Sequence, residues 1–217
     1  VIETQNVNEL KIENTGTEEI FIQSGDIVKG GQQDRVLTIS MVLPPKSGQV
    51  PIASFCVEQG RWTARGKEDV KAFASAAESL PSRAAKLAMN APKAVASAAT
   101  ASEPVAGQRP NRALLGRGDD TSTRQQQVWN EVAKTQDKLS GSLKARVAAP
   151  QSATSLQLSL ENEAVIKARS EYVDALQGKA ADADDVVGYV FAINGKLNSA
   201  DIYPSSGLFK KMWNRLL

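Results

Sequence analysis

The sequence predicts an α+β fold, with an antiparallel meander or sandwich-like sheet in the amino-terminal half, a helical middle, and a carboxy-terminal β-hairpin and helix. Three observations lead to this prediction. Short alternating apolar runs, separated by turn residues, occupy the first sixty or so positions. Apolar residues spaced three and four apart then dominate. Finally, alternation returns around an Asn-Gly pair in "VVGYVFAINGKLNSADIY". Strands followed by helices are typical of α+β domains.

The first strands are predicted in "ELKIENTGTEEIFI", where Leu10 and Ile12 alternate with polar residues and "NTG" predicts a turn. The run "RVLTISMVL" predicts one further strand, and four apolar residues should share one of its faces: Leu37, Ile39, Met41 and Leu43. "PPKSG" ends that run, and "QVPIASFCV" predicts the next strand. Short strands with tight connections indicate an antiparallel meander.

The middle of the chain differs in composition. "KEDVKAFASAAESL" predicts a helix that Pro81 ends. From about residue 90 to 120, prolines, glycines and small residues predict a long flexible loop. We expect residues 1–217 to form a single domain, truncated at its amino terminus because the chain begins at Val1 rather than Met.

Two helices with an apolar stripe should follow the loop. Thr123 and Gln126 fit a capping box, and the helix is expected to end at Gly141. Its inward stripe is predicted to be Val128, Val132, Thr135 and Leu139. The second helix is expected to end at Gly178, with a stripe of Val165, Ala168, Tyr172 and Leu176.

The carboxy-terminal segment predicts a hairpin and then a helix. Asn194 and Gly195 suit a type I′ turn between two alternating strands. Pro204 and Ser205 then introduce the last helix, whose inward residues should be Leu208, Met212, Trp213 and Leu216.

Composition excludes several classes of function. The chain contains no histidine and one cysteine, Cys56, so Ser-His-Asp and Cys-His nucleophiles, His-ligated metals and an internal disulfide are all excluded. A net charge of +2 predicts no nucleic-acid partner, and no apolar run is long enough to span a membrane. We therefore expect a soluble protein, with no bound metal or cofactor, that is compatible with either the cytoplasm or the periplasm.

Two polar segments hold the candidate site residues. In "SGDIVKGGQQDRVL", Gly30 and Gly31 could expose consecutive N–H groups to an anion, or simply supply a β-turn or bulge. In "CVEQGRW", Glu58 could act as a general base or hold a hydrated divalent ion, as could Asp34 of the first segment. Arg35 and Arg61 could clamp a phosphate. The alternative is a structural carboxylate–guanidinium network under Trp62.

Four blocks of sequence carry a family resemblance: "SGDIVKGGQQDRVL", "LPPKSGQVPIASFCVEQGRW", "RQQQVWNEV" and "VGYVFAINGKLNSADIYPSSGLFKKMWNRLL". In this order, they resemble the ARG and rhodanese-phosphatase-superfamily-associated protein (ARPP) domain, a bacterial family of unestablished function. The resemblance implies a role around NAD or ADP-ribose derivatives. By position, it implies these polar site residues: Gly30, Gly31, Gln33, Asp34, Arg35, Glu58, Gly60, Arg61 and Trp62.

Two functions of different class remain open. The first is binding or processing of a phosphorylated nucleotide-like ligand, with Arg35 and Arg61 on phosphate and Glu58 or Asp34 on ribose, metal or water. The second is a non-catalytic interaction or scaffold domain whose polar cluster is structural. The residues do not decide whether the protein is an enzyme or which oligomer it forms.

Overall fold

The computed structural model describes residues 1–90, 120–180 and 184–217. The predicted loop at about 90–120 therefore lies almost wholly outside the described residues. The strands are β1 (Ile2–Glu3), β2 (Glu9–Ile12), β3 (Ile20–Ile22), β4 (Asp26–Gly30), β5 (Arg35–Leu37), β6 (Met41–Leu43), β7 (Val50–Cys56), β8 (Phe73–Ser79), β9 (Gly188–Ile193) and β10 (Lys196–Ile202). The helices are α1 (Arg83–Met89), α2 (Asp120–Leu143), α3 (Leu156–Leu160), α4 (Glu163–Leu176) and α5 (Ser206–Leu216).

A six-stranded antiparallel sheet organises the amino-terminal half, in the order β1-β2-β7-β5-β4-β8. Strand β7 lies between β2 and β5, with Arg35 of β5 opposite Cys56 of β7. Helices follow this sheet, and a separate hairpin and helix come last. The predicted α+β class, with its antiparallel sheet, helical middle and terminal hairpin and helix, is confirmed.

Apolar residues are buried on both faces of this sheet. On one face, Ile27, Val36 and Phe55 belong to a core shared with Val128 and Val132 of α2. The other face contributes to a second cluster with the small β3–β6 ribbon, and its buried members are Leu10, Ile12, Val28, Leu37, Leu43 and Ile52.

The prediction of one strand over "RVLTISMVL" is wrong. The chain leaves the large sheet after Leu37 and re-enters a different ribbon at Met41, where β6 pairs with β3. The crossover contains the polar residues Thr38 and Ser40, and Ile39 between them is 48% exposed. Leu37 and Leu43 still join the same core, because the crossover returns the chain to the same face.

The helix predicted before Pro81 is also wrong, since Phe73–Ser79 is strand β8. Strand β8 pairs with β4 along most of its length. This pairing outweighs the helical propensity of the alanines in β8. The helix begins after Pro81 instead, where the Ser82 side chain accepts a hydrogen bond from the Ala85 N–H.

Helix α2 is longer than predicted at both ends. It runs through Thr123 and Gly141, so Thr123 is not its cap. The helix stops before Lys144, whose φ of 50° is left-handed. The predicted stripe is nevertheless inward, with Val128 and Val132 buried.

Helix α4 ends at Leu176 and passes into a 3-10 turn, Gln177–Ala180, that contains Gly178. Its predicted apolar stripe is only partly buried. Val165 is buried, whereas Tyr172 is 68% exposed and Leu176 is 40% exposed. The later stripe positions therefore face outward more than predicted.

The terminal hairpin and helix agree with their prediction. Asn194 and Gly195 have φ values of 51° and 76°, as a type I′ turn requires. Ser205 caps α5 by accepting from the Leu208 N–H. Phe209 is the most deeply buried residue of α5, and the predicted residues pack around it: Leu208, Met212, Trp213 and Leu216. Among the described residues, no helix combines the length and apolarity needed to cross a membrane.

Candidate functional site

The two polar segments meet at one end of the large sheet. Strand β5 pairs with β7, so the connection before Arg35 lies beside the residues that follow Cys56. The Val57 N–H donates to the Asp34 carbonyl at 3.0 Å, which extends the pairing past the strand end. The segments "GGQQDR" and "EQGRW" are therefore neighbours in the fold.

Asp34 is fully buried at the centre of this junction. Its Oδ1 accepts from the Gly30 N–H at 2.9 Å, and its Oδ2 accepts from the Ser155 hydroxyl at 2.7 Å. The Arg65 guanidinium binds both oxygens, at 2.9 and 3.2 Å. Each oxygen therefore has two donors, and the carboxylate has little capacity left for a ligand.

Glu58 is the second fully buried carboxylate. Its Oε1 lies 2.7 Å from Arg61 Nε and 3.2 Å from an Arg65 nitrogen. Its Oε2 accepts from the Asp34 backbone N–H at 3.0 Å. One residue thus ties the end of β7 to the connection before β5.

Arg61 uses its remaining donors on three backbone carbonyls, two of which belong to the glycine pair. It donates to the Gly31 carbonyl at 2.9 Å, the Gly30 carbonyl at 3.1 Å and the Thr63 carbonyl at 2.7 Å. Its side chain is only 8% exposed. Arg61 thus pairs with Glu58, and its guanidinium points into the protein, so a phosphate could reach it only after these bonds broke.

Arg65 and Ser155 are central residues that the sequence reasoning missed. Burial alone would lower the pKa of Arg65, but hydrogen bonds and charge from Asp34, together with the charge of Glu58, raise it above its ordinary value. Arg65 stands four positions after Arg61 in a polar segment, which was a usable signal. Ser155 is remote in sequence and carried none.

Arg35 lies apart from the group formed by Asp34, Glu58, Arg61 and Arg65. Its NH1 donates to the Gln33 carbonyl and side-chain oxygen, and its NH2 is 3.8 Å from a Glu3 carboxylate oxygen. The Trp62 ring stacks on the guanidinium, with 5.5 Å between Arg35 Cζ and the ring centroid. Arg35 and Glu58 therefore share no ion pair in the described part of the chain.

The glycine pair makes a turn in which both amides are already occupied. The Gly30 N–H donates to Asp34, and the Gly31 N–H donates to the Ala72 carbonyl at 2.8 Å. Their φ values are 114° and 55°. A Cβ on Gly30 would meet the Ala72 carbonyl oxygen at 2.5 Å, so this position requires glycine for space as well as for conformation.

Cys56 and Gln33 complete the junction around the Glu58 backbone. The Cys56 thiol and the Gln33 side-chain amide both donate to the Glu58 carbonyl, at 2.9 and 3.0 Å. Burial is the main reason that the pKa of Cys56 rises to about 11. The thiol is therefore protonated at neutral pH and is a poor nucleophile.

A shallow cavity of about 310 Å³ adjoins the junction. Its lining includes Lys29, Gly30, Glu68, Asp69 and Phe73. The side chains of Asp34, Glu58, Arg61 and Arg65 are not part of this lining. Among the described residues, no group of three or more acidic or cysteine side chains is arranged to hold a metal ion. Whether the predicted residues bind a ligand stays a prediction.

Comparison with known proteins places these observations in a family context. A family model described as the ARG and Rhodanese-Phosphatase-superfamily-associated Protein domain, ARPP-1, matches residues 1–217. Searches of curated proteins and of solved structures gave no match.

Proposed function

We propose that this chain, which belongs to the ARPP-1 domain family over its whole length, is a non-catalytic binding or interaction domain whose buried polar group is structural. We call this group the charge cluster: Asp34, Glu58, Arg61 and Arg65. The observation that carries the proposal is that the cluster's two carboxylates and two guanidinia lie against one another with little or no exposure.

Two features argue against chemistry at the charge cluster: its carboxylates are buried, and its hydrogen-bonding groups already have partners. A general base must reach a substrate proton, yet the side chains of Asp34 and Glu58 are 0% exposed. A nucleophile needs an activating base, and the Cys56 thiol has its pKa raised rather than lowered. A phosphate on Arg61 would displace three backbone carbonyls and a carboxylate.

The charge cluster connects three segments that are distant in sequence. Asp34 belongs to the connection between β4 and β5, and Glu58 follows β7. Ser155, which donates to Asp34, also caps α3 by accepting from the Leu158 N–H at 3.1 Å. The cluster therefore positions the helical layer against the sheet, which is a structural function.

The substitution Glu58→Gln tests this proposal. It keeps the shape of the side chain and removes its charge, so two guanidinia face one buried carboxylate; such loss typically costs about 3–5 kcal/mol. We expect a lower melting temperature and unchanged responses to ADP-ribose, NAD and phosphate. The matched control is Glu171→Gln, at an exposed helical position. Equal melting temperatures for the two variants would refute the structural role.

A second candidate function is binding of a phosphorylated nucleotide-like ligand, such as an ADP-ribose or NAD derivative, with Arg35 and Arg61 on phosphate and Asp34 or Glu58 on ribose. Two features of the Arg35 environment support it. Among the described residues, its Nε and NH2 atoms have no hydrogen-bond acceptor, so a phosphate would satisfy them if it displaced the residues that leave Arg35 0% exposed. The stacked Trp62 side chain is 40% exposed and offers an aromatic surface to a base.

Thermal shifts with ADP-ribose, NAD and inorganic phosphate test this second candidate. It predicts that the ligands raise the melting temperature and that Arg35→Ala and Arg61→Ala remove the increase. Lys138→Ala, at an exposed position of α2, is the charge-matched control. The candidate fails when millimolar ligand gives no shift, or when a shift survives both arginine substitutions.

A further inference from the structure

A second cleft, of about 270 Å³, has none of the charge-cluster side chains in its lining. It is formed where the end of β8 and the start of α1 meet the terminal hairpin and the last residues of α5. The cationic and aromatic side chains that line it are Arg83, Lys86, Arg169, Arg215, Tyr189 and Phe191. None of these was a candidate from the sequence.

Four cations lie in or at this cleft, and two of them already have carboxylate partners. Arg169 lies 3.1 Å from Glu78, and Arg215 lies 3.0 Å from Asp26. Burial raises the pKa of Asp26, although a backbone hydrogen bond from Gln23 and the charge of Arg215 oppose that effect.

The other two cations, Arg83 and Lys86, have no ion-pair partner within 4 Å among residues 1–90, 120–180 and 184–217. They are three positions apart in α1, so they lie on neighbouring parts of the same helix surface. Lys86 is near enough to Asp26 to lower its pKa, but only by charge at a distance. Counted over side chains alone, the four cations of the cleft therefore exceed their two carboxylate partners by two.

The lining of the cleft also includes two aromatic side chains of β9. Tyr189 and Phe191 alternate along β9 and stack, with ring centroids 6.2 Å apart and an interplanar angle of 20°. The Tyr189 hydroxyl donates to Asp201 at 2.9 Å, and its ring packs edge-on against Trp213. Phe191 remains 40% exposed, although it lines the cleft. Its ring is therefore available to a ligand.

We propose that this cleft binds a small phosphate monoester that carries a planar ring, with the phosphate on Arg83 and Lys86 and the ring against Phe191. A phosphate monoester has close to two negative charges at neutral pH, which matches the two unpaired cations. Arginine and lysine are the usual phosphate-binding side chains, and an exposed aromatic ring stacks on planar groups. This site is separate from the charge cluster and does not depend on that cluster's role.

The cleft volume restricts the size of the ligand. Ligand pockets typically occupy about 300–1,000 Å³, so a cleft of about 270 Å³ suits a molecule with one ring system and one phosphate. A dinucleotide would extend beyond it.

Titration of the whole chain with three probes, followed by amide NMR, tests the proposal. The probes are AMP, ribose 5-phosphate and adenosine, which separate the phosphate from the ring. We expect AMP to bind most tightly, ribose 5-phosphate more weakly and adenosine not measurably, with affinities reaching at least about 1 mM for AMP. The shifted amides should belong to β8, α1 and β9.

Variants then assign the contacts. Arg83→Ala combined with Lys86→Ala should weaken AMP at least about tenfold, whereas Lys138→Ala combined with Lys167→Ala, which removes the same charge from exposed helix positions, should not. Phe191→Ala should reduce AMP to the affinity of ribose 5-phosphate. Val190→Ala, on the other face of β9, should leave AMP unchanged.

Three results would overturn the proposal. The first is the absence of binding by both AMP and ribose 5-phosphate. The second is equal loss of affinity in the cleft variant and its charge-matched control, which would indicate a non-specific attraction. The third is a set of shifted amides around Asp34 and Arg61, which would instead support the nucleotide site at the charge cluster.

Discussion

Asp34→Asn is the substitution whose effect follows most directly from the contacts in the charge cluster. The side chain keeps its size and loses its charge. The wild-type carboxylate accepts from the Gly30 N–H, the Ser155 hydroxyl and two Arg65 nitrogens. An asparagine offers one oxygen and one NH2 group, so in either orientation the NH2 group faces existing donors.

The expected cost follows from burial. Asp34 is 0% exposed, so water cannot replace the lost acceptor, and the buried Arg65 loses its bidentate partner. Removal of one partner from a buried ion pair typically costs about 3–5 kcal/mol. For a chain of this size, each kcal/mol lowers the melting temperature by about 2–4 °C. We therefore expect a fall on the order of 10 °C.

Urea unfolding, followed by circular dichroism, measures this change. We expect a lower midpoint with an unchanged slope, because the surface exposed on unfolding is the same. The matched control is Asp137→Asn, at an exposed position of α2, which should change stability by less than about 0.5 kcal/mol. An Asp34→Asn midpoint equal to that of the control would refute the reasoning.

Three further substitutions test other parts of the same junction. Gly30→Ala should destabilise the fold more than Gly60→Ala. Both positions have a positive φ, but only at Gly30 would the added Cβ lie 2.5 Å from the Ala72 carbonyl oxygen. Equal melting temperatures for the two variants would contradict the close approach at Gly30. Ser155→Ala should cost about 1–2 kcal/mol in urea unfolding, because it removes a helix cap and a donor to the charge cluster; a cost near zero would count against the link. For Cys56, whose pKa burial raises to about 11, the folded state retains the proton. The stability that this proton contributes is complete below about pH 9 and is lost as the pH rises towards 11. Cys56→Ser should therefore reduce the loss of stability between pH 9 and 11. A loss of the same size in the variant would contradict the role given to the Cys56 thiol.

The sequence predicted the elements whose signals are local. Asn194 and Gly195 determine a turn by their own backbone preferences. Ser205 indicates the start of α5 because a serine side chain can accept a hydrogen bond from a backbone N–H of the first helical turn. Strand β8 could not be predicted in this way. Its alanines favour a helix, and only pairing with β4, about fifty residues earlier, holds it extended.

The candidate site was predicted in part for the same reason. The two polar segments were recognised, but their adjacency depends on the pairing of β5 with β7, which the sequence left open. The sequence could not show that Arg35 turns away towards Glu3 and Trp62, because that direction depends on packing. Ser155 was missed because nearly a hundred residues separate it from Glu58 in the chain.

The central claim is that the charge cluster is a structural unit. A double-mutant cycle between Glu58 and Arg65 tests this claim most directly. The stabilities of Glu58→Gln, Arg65→Gln and the double variant would be measured by urea unfolding with and without ADP-ribose. We predict a coupling energy above about 1 kcal/mol that ADP-ribose does not change, because the two side chains lie 3.2 Å apart without solvent. Additive effects, or a coupling that ADP-ribose alters, would contradict the claim.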